Sequence, residues 1–405
     1  MAVSALQALQ AYASSNDEFV SRFGEPVQEN FTKWANGVIE NPEVQNSFLK
    51  YLINKIGRTY VNSMFANNPL AFLRGEDLPL GQTIEDLFVN ITKAMAFDPE
   101  GKQTLDKFVP DVRALYYVVN SDLEYVVSVT TKEIKLAFYR DGAMQTLIER
   151  ITNSLYQSAR HDMFVLLKQL LAGYDGYFYQ TVPALDGTQE KAKTVGASLK
   201  SAILYADFDN TQYNSIGVMN NIPKGEGLLL MTVAASVSLD FDYLANVFNL
   251  TKAELTARTV ILDNFGSRSD ILAVYCDKRI FQNHFVYEGV ETQRNAQGRF
   301  TNYWLCEEAI YAMSKYMTAI AFTTSTTVEV SFDANGGTLD MPSRYGIPGK
   351  KLSLPINNFT PPEGKTFAGW GLATSVTPAN ALQPSTDIEI AADATSPITV
   401  YAIYS

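Results

Sequence analysis

Histidine, cysteine and closely spaced carboxylates are the side chains through which this chain could act on a substrate or hold a metal. Histidine is the commonest general base and metal ligand near neutral pH. The 405 residues include only two, His161 and His284. His161 stands beside Asp162, and no His-Glu-x-x-His pair is present. A surface imidazole or a hydrogen-bonded core imidazole is the expectation for both. The two cysteines, Cys276 and Cys306, lie 30 positions apart and outside any Cys-x-x-Cys spacing. That excludes a disulfide framework and argues against a zinc-thiolate cluster. Two buried thiols are expected instead.

The acidic groups give little more. Asp207, Asp209 and Asn210 are spaced like the start of a calcium loop. Such a loop needs Gly at its sixth position and Glu at its twelfth, and Gln212 and Val218 stand there. A turn is the better reading. Asp240 and Asp242 could pair as hydrolytic carboxylates, or they could be the acids that favour a helix start. Gly225-Glu226-Gly227 lacks the third glycine of a dinucleotide fingerprint and reads as a turn before a strand. No Gly-x-Ser-x-Gly elbow and no phosphate loop occur. No catalytic set, cofactor or metal is therefore expected. A hydrolase built on two carboxylates facing one pocket is the weakest reading.

Composition narrows the class further. The chain carries 32 basic and 43 acidic residues, a net charge of −11. A protein that grips nucleic-acid phosphates normally shows a basic excess. Hydrophobic residues make up 46% and aromatics 12%, with 22 Tyr and 23 Phe, enough for a large core and for broad packed interfaces. No Lys or Arg precedes the first apolar residues, so no secretory signal is expected. The longest apolar-rich stretch, Leu228–Leu239, is twelve residues, against about twenty for a membrane span. The expectation is a soluble protein without a membrane, kept inside a cell until it assembles.

The elements that would position these residues follow from periodicity. Up to about residue 97 the pattern is helical: Phe31, Trp34, Val38 and Ile39, then Phe48, Leu52, Ile53 and Ile56. A small helical domain and an extended arm are both compatible with it. From Val112 to Tyr139 the period becomes two, through Leu123, Tyr125, Val127 and Val129, then Ile134, Leu136 and Phe138. With Thr130-Thr131-Lys132-Glu133 between them, these runs predict a β-hairpin. A helical stripe then runs from Asp141 to Leu171, about thirty residues or roughly 45 Å at 1.5 Å per residue. Asp141 is its expected N-cap and Gly173 its expected stop.

Residues 174–325 mix signals. Leu228–Met231, Val260–Leu262 and Ile271–Tyr275 read as strands. Asp240–Leu250, a segment opened by Thr251 and Glu254, and Tyr303–Met317 read as helices. The result is an α+β class rather than regular βαβ units. Phe322–Val328 reads as a polar linker. Beyond it stand eight of the 16 prolines and two alternating runs, Val328–Phe332 and Ile398–Tyr404. A separate small β domain is expected over residues 326–405.

The order of arm, hairpin, long helix and mixed body resembles the HK97-type major capsid proteins of tailed bacteriophages. Leu78-Pro-Leu-Gly-Gln-Thr-Ile-Glu-Asp-Leu-Phe-Val89 and Phe108-Val-Pro-Asp-Val-Arg-Ala-Leu-Tyr-Tyr117 are similar to stretches in the head proteins of short-tailed, phi29-like phages. The last segment resembles the Listeria–Bacteroides, InlB B-type repeat, a β-grasp-like module. The residues concerned are Val330-Ser-Phe-Asp-Ala-Asn-Gly-Gly-Thr338, Thr366-Phe-Ala-Gly-Trp370 and Ile398-Thr-Val-Tyr-Ala402. The resemblance departs from surface proteins in having one copy rather than an array.

The capsid resemblance implies an N-arm with a helical segment over 1–97 and a capsid core over 98–325. Within that core it implies an E-loop at about 110–140, a spine helix at about 141–172, and P and A domains over 173–325. The final domain would lie on the outer capsid surface. It further implies self-association into hexamers and pentamers of an icosahedral head enclosing double-stranded DNA without sequence-specific binding. A scaffolding protein and a portal would be partners, and the last domain would meet host surfaces or glycans. Assembly would take place in the host bacterial cytoplasm, and the mature location would be the virion. Glu124, Thr130, Thr131, Lys132, Glu133 and Lys135 would then lie at the E-loop tip and touch a neighbouring subunit. Deleting Thr130–Glu133 would leave soluble monomer. The alternative from the last domain alone is a bacterial surface or adhesion protein.

Overall fold

A computed structural model describes residues 4–53, 68–79, 81–89, 112–140, 143–223, 225–239 and 259–405, with residues 97 and 99. The chain groups into two units. One comprises residues 1–82, 118–167 and 283–311, and the other residues 83–117, 168–282 and 312–405.

The first unit opens with helices α1 (Ala5–Ala13), α2 (Asp17–Phe23), α3 (Phe31–Glu40) and α4 (Pro42–Tyr51). Each boundary has a local cause. The Ser4 hydroxyl accepts the Gln7 N–H while the Gln7 side chain accepts the Ser4 N–H, a capping box. Gly24, at φ +78°, ends α2. Asn41 caps α4 ahead of Pro42, whose fixed φ suits the first helical position. Trp34, Val38, Phe48 and Leu49 are fully buried, and Phe48 meets Tyr12 edge-on at 5.5 Å. Of the two readings left open for this segment, residues 5–51 take the packed helical one.

Strand β3 (Ser121–Thr130) runs antiparallel to β9 (Phe300–Met313), from Ser121 opposite Ala309 to Thr130 opposite Phe300. β9 also borders β8 (Phe281–Asn295), giving the order β3-β9-β8. The stretch Tyr303–Met313 is therefore strand rather than helix: Thr301, Tyr303 and Leu305 are buried at alternate positions, which only a period of two achieves.

After β3 the expected hairpin does not form. Thr131–Tyr139 is helix α5, so Ile134, Leu136 and Phe138 are helical residues and not a return strand. Ile134 and Phe138 are four apart and share the buried face, while Leu136 is exposed. The long helix is present in two parts, α6 (Ala143–Thr152) and α7 (Ser158–Gly173), joined by a π-helical turn over Asn153–Gln157. Asp141 lies outside the described residues. One core joins α1, α3 and α4 to β3, α5 and α6.

The second unit is built on a five-stranded mixed sheet in the order β4-β10-β7-β5-β6. Its strands are β4 (Phe178–Thr181), β5 (Gly227–Thr232), β6 (Thr259–Leu262), β7 (Ile271–Asp277) and β10 (Ala319–Thr323). Helix α8 (Gln189–Ala206) packs Val195, Leu199 and Ala202 on Met231, Ile320 and Phe322. The short α9 (Val233–Ser238) follows β5 and is capped by the Thr232 hydroxyl. Gly225, at φ +96°, makes the turn before β5. The expected helices over Asp240–Leu250 and after Thr251, with Asp240 and Asp242, lie outside the described residues.

The final segment forms a sheet in the order β12-β11-β16-β14 and a separate pair of β13 and β15. The strands are β11 (Val328–Asp333), β12 (Arg344–Gly346), β13 (Lys351–Ser353), β14 (Phe367–Gly371), β15 (Asp387–Glu389) and β16 (Ile398–Tyr404). The two alternating runs seen in the sequence pair in parallel, Val330 opposite Ile398 through Asp333 opposite Tyr401. Asn335 and Gly336, at φ 45° and 91°, turn the chain after β11. Val330, Leu354, Trp370, Val400 and Ala402 form a core of their own.

Candidate functional site

Of the six residues expected at a projecting tip, Thr130, Thr131, Lys132, Glu133 and Lys135 lie at a strand-to-helix junction instead. Glu124 is an exposed β3 residue opposite Cys306. The Thr130 hydroxyl accepts the Glu133 N–H at 3.2 Å, and the Glu133 carboxylate accepts the Thr130 N–H at 2.8 Å. This capping box starts α5. Thr131 donates its N–H to the Arg299 carbonyl, and Lys132 and Lys135 face solvent. Thr130-x-x-Glu133 was the sequence signal for a helix start here. Deleting Thr130–Glu133 would remove a cap and unfold α5, so that deletion cannot isolate an assembly role.

Glu133 also pairs with Arg150 of α6. The guanidinium and the two Thr130 hydrogen bonds hold its carboxyl down at about 2, from 4.5. The depressed value makes the pair's stabilisation complete above about 4.5 and lost as pH falls through about 2. Glu133→Gln should therefore lower the melting temperature at pH 7, and the gap to the parent should close near pH 2. A gap of constant size across a calorimetric pH series would contradict this.

A second strand pair lies elsewhere. Among the described residues β1 (Ile84–Val89) and β2 (Val112–Tyr117) pair only with each other, from Ile84 opposite Tyr117 to Val89 opposite Val112. Between them only residues 97 and 99 are described. One face packs inward: Phe88 stacks on Tyr316 at 5.5 Å, and Leu115 joins a cluster of Ile216, Val218 and Ile356. The other face presents Leu87, Val89, Val112 and Tyr116, each more than half exposed. An isolated two-stranded ribbon is marginal in water. Apolar residues on both faces mean that half its stabilising surface is uncovered in the single chain. Sequence reading found the alternation in β2 but not its partner, because β1 ends at Val89 and β2 begins only at Val112, too far apart for a short-turn hairpin signal. The signal available was the apolar pattern on both faces of Ile84–Val89.

A second arrangement fixes the C-terminal module to the sheet body. The stretch read as a polar linker is tied down along its length. Asp270, held by Arg268 Nε and Nη2 at 2.8 and 2.9 Å, accepts the Thr323 hydroxyl at 2.7 Å and the Ser325 hydroxyl at 3.2 Å. Its backbone carbonyl accepts the Thr324 N–H at 2.8 Å. Arg268 keeps the Asp270 carboxyl well below the usual carboxylate range. On the other side the Ile356 N–H donates to the Ile216 carbonyl, and the Asn358 amide to that of Gly217. Gly217, at φ +78°, leaves room for Pro355, which a Cβ would meet at 2.9 Å. Arg344 is buried and donates to the Asn214 carbonyl. Burial lowers its guanidinium to about 9, so it stays charged at neutral pH.

Within each unit, the described chemistry-bearing residues do not converge. His161 lies on α7, and the His284 ring nitrogen meets the Glu76 carbonyl at 2.8 Å. Cys276 is buried on β7, where desolvation pushes its thiol up, and Cys306 is half-buried. Asp207 ends α8, and Asp209 accepts the Asn221 amide in a turn. Among the described residues no cluster of His, Cys, Asp or Glu could hold a metal, and no helix is long and apolar enough to cross a membrane.

The chain is 27% identical over 318 residues to the major capsid protein of Bacillus phage B103, covering 77% of this chain and 71% of that one. It is 28% identical over 315 residues to the major capsid protein of Bacillus phage GA-1, covering 74% and 65%. In three dimensions it is similar to a chain from the capsid structure of Staphylococcus phage Andhra, with a TM-score of 0.52 at 13% identity, over 64% of this chain and 84% of that one. The fold is thus that of the HK97-like phage capsid proteins, and the relatives are structural proteins rather than enzymes. The profile of one family matches residues 6–323, ending on the last residue of β10, and the chain belongs to that family, the Phi29-like phage major capsid proteins.

Proposed function

We propose that many copies of this chain close into the hexamers and pentamers of an icosahedral head around double-stranded DNA. The observation that carries the reading is the ribbon of β1 and β2, apolar on both faces and covered on one. Its uncovered face fits against a neighbouring copy, which assigns the role of the E-loop to residues 84–117 in place of 110–140. Exposed Glu124, Lys132 and Lys135 would add charged contacts at the rim of such an interface, where they give orientation more than affinity. Interfaces of standard size bury about 1,200–2,000 Å². A closed shell repeats each one many times, so modest contacts suffice.

The same reading places the C-terminal module, residues 326–405, on the outside of the shell as a B-repeat-like domain that meets host surfaces or glycans. Support comes from its separate core and from its position beyond the family match. The net charge of −11 suits a wall that does not grip packaged DNA. A scaffolding protein and a portal complete the set of partners, and assembly would occur in the host bacterial cytoplasm.

Electron microscopy of the full chain, expressed with and without the scaffolding protein of its phage, tests the proposal. Closed shells are expected. Monomers or open rods under both conditions would overturn it.

A further inference from the structure

A pocket of about 360 Å³ opens where β12 of the C-terminal module runs beside β4. Its lining includes Phe178 of β4, Tyr205 near the end of α8, Tyr213 and Tyr345 of β12, with Tyr179 lining it from the strand while its ring turns to the other face toward Arg268. Phe178 meets Tyr213 and Tyr345 edge to face, with centroids 5.0 and 5.8 Å apart. Rings braced at right angles in this way make a fixed concave surface rather than a collapsible one. Thr181 and Thr327 also line it and bond to each other at 2.9 Å.

The polar part of the wall is neutral. Gln180, Gln212 and Ser201 line it, and among the described residues no lining side chain carries a charge, although 19% of the chain is charged. An ionic ligand would find no counter-charge on entering. Among the described residues, the amides of Gln180 and Gln212 and the hydroxyls of Tyr205 and Tyr213 make no hydrogen bond within the chain. Each amide can donate and accept, and each phenol can do both. Aromatic faces beside uncommitted amides and hydroxyls match a ligand with an apolar C–H face and a rim of hydroxyls. The volume lies in the range of small-molecule sites.

We propose that this pocket binds a neutral saccharide of one or two pyranose rings, stacked on the aromatic wall and hydrogen-bonded to Gln180 and Gln212. The inference rests on the outward placement of the module for its access from solution in the assembled shell. It deepens that reading by naming the ligand class and the residues.

Calorimetric titration of free full-length subunits and of closed shells, each with maltotriose and with the trisaccharide of N-acetylglucosamine, tests it. Saturable millimolar or tighter binding of at least one sugar to both forms is expected. Tyr205 is 64% exposed, so Tyr205→Ala should fold normally by circular dichroism and weaken binding at least tenfold. Gln212→Ala should do the same. A sulfated trisaccharide should bind more weakly than its neutral parent. Absence of binding by free subunits, or equal affinity in parent and both variants, would overturn the assignment. Binding by subunits but not by shells would uphold the ligand class and overturn the outward placement.

Discussion

Trp370→Ala is expected to unfold the C-terminal module while the first unit keeps its structure. The indole is fully buried, with Phe332, Phe367 and Phe359 at 5.3, 5.1 and 6.2 Å, and its Nε1–H donates to the Pro355 carbonyl at 2.8 Å. Truncating a buried tryptophan costs about 3–5 kcal/mol. A single core in a domain of this size rarely supplies more than about 3–5 kcal/mol. The loss is thus comparable to the module's whole stability. It also reaches the body, because the neighbouring residue Ile356 makes the hydrogen bond to Ile216. Limited proteolysis should cut the variant first within residues 326–405, and the parent should resist. Trp370→Phe keeps most of the volume and loses the donor, so it should fall between them. Equal protease resistance in all three would show that the indole is not what holds the module.

The other large effect concerns the ribbon. Leu87→Asp should leave the subunit folded and abolish shells. Leu87 is 57% exposed, and substitutions at such surface positions usually change stability by no more than about 0.5 kcal/mol. In a shell the same carboxylate would be buried against a neighbour without a partner. Such a group costs several kcal/mol in each contact, and the cost recurs around the lattice. Sedimentation should then show only small species with an unchanged melting temperature. Leu87→Met, which keeps the apolar face, should still give shells. Shells of normal yield from Leu87→Asp would remove the ribbon from the interface.

Much of the architecture was legible because burial imposes its period on the sequence. Trp34 and Val38, Phe48 and Leu52, and the strands Leu228–Met231, Val260–Leu262 and Ile271–Tyr275 all lie where their spacing put them. Thr131–Tyr139 was misread because Ile134, Leu136 and Phe138 satisfy both periods, and only the capping pair Thr130 and Glu133 separates them. The helix expected at Tyr303 failed for a non-local reason. β9 is fixed by a strand nearly 180 positions earlier, with Thr130 opposite Phe300, and no local window contains both. The candidate contact residues lie on β3 and at the start of α5 rather than on a hairpin turn. The apolar ribbon face was written in Ile84–Val89, but its meaning depended on a partner strand that local spacing does not reveal.

The clamp of Asp270 on Thr323, Thr324 and Ser325 has one more consequence. A joint held at three successive residues resists swivelling, so in a shell of the proposed kind each copy would aim its last module along one fixed line. A foreign domain spliced in at Val328 would inherit that bearing. A head bearing such grafts would then carry a regular, evenly aimed array rather than a loose fringe.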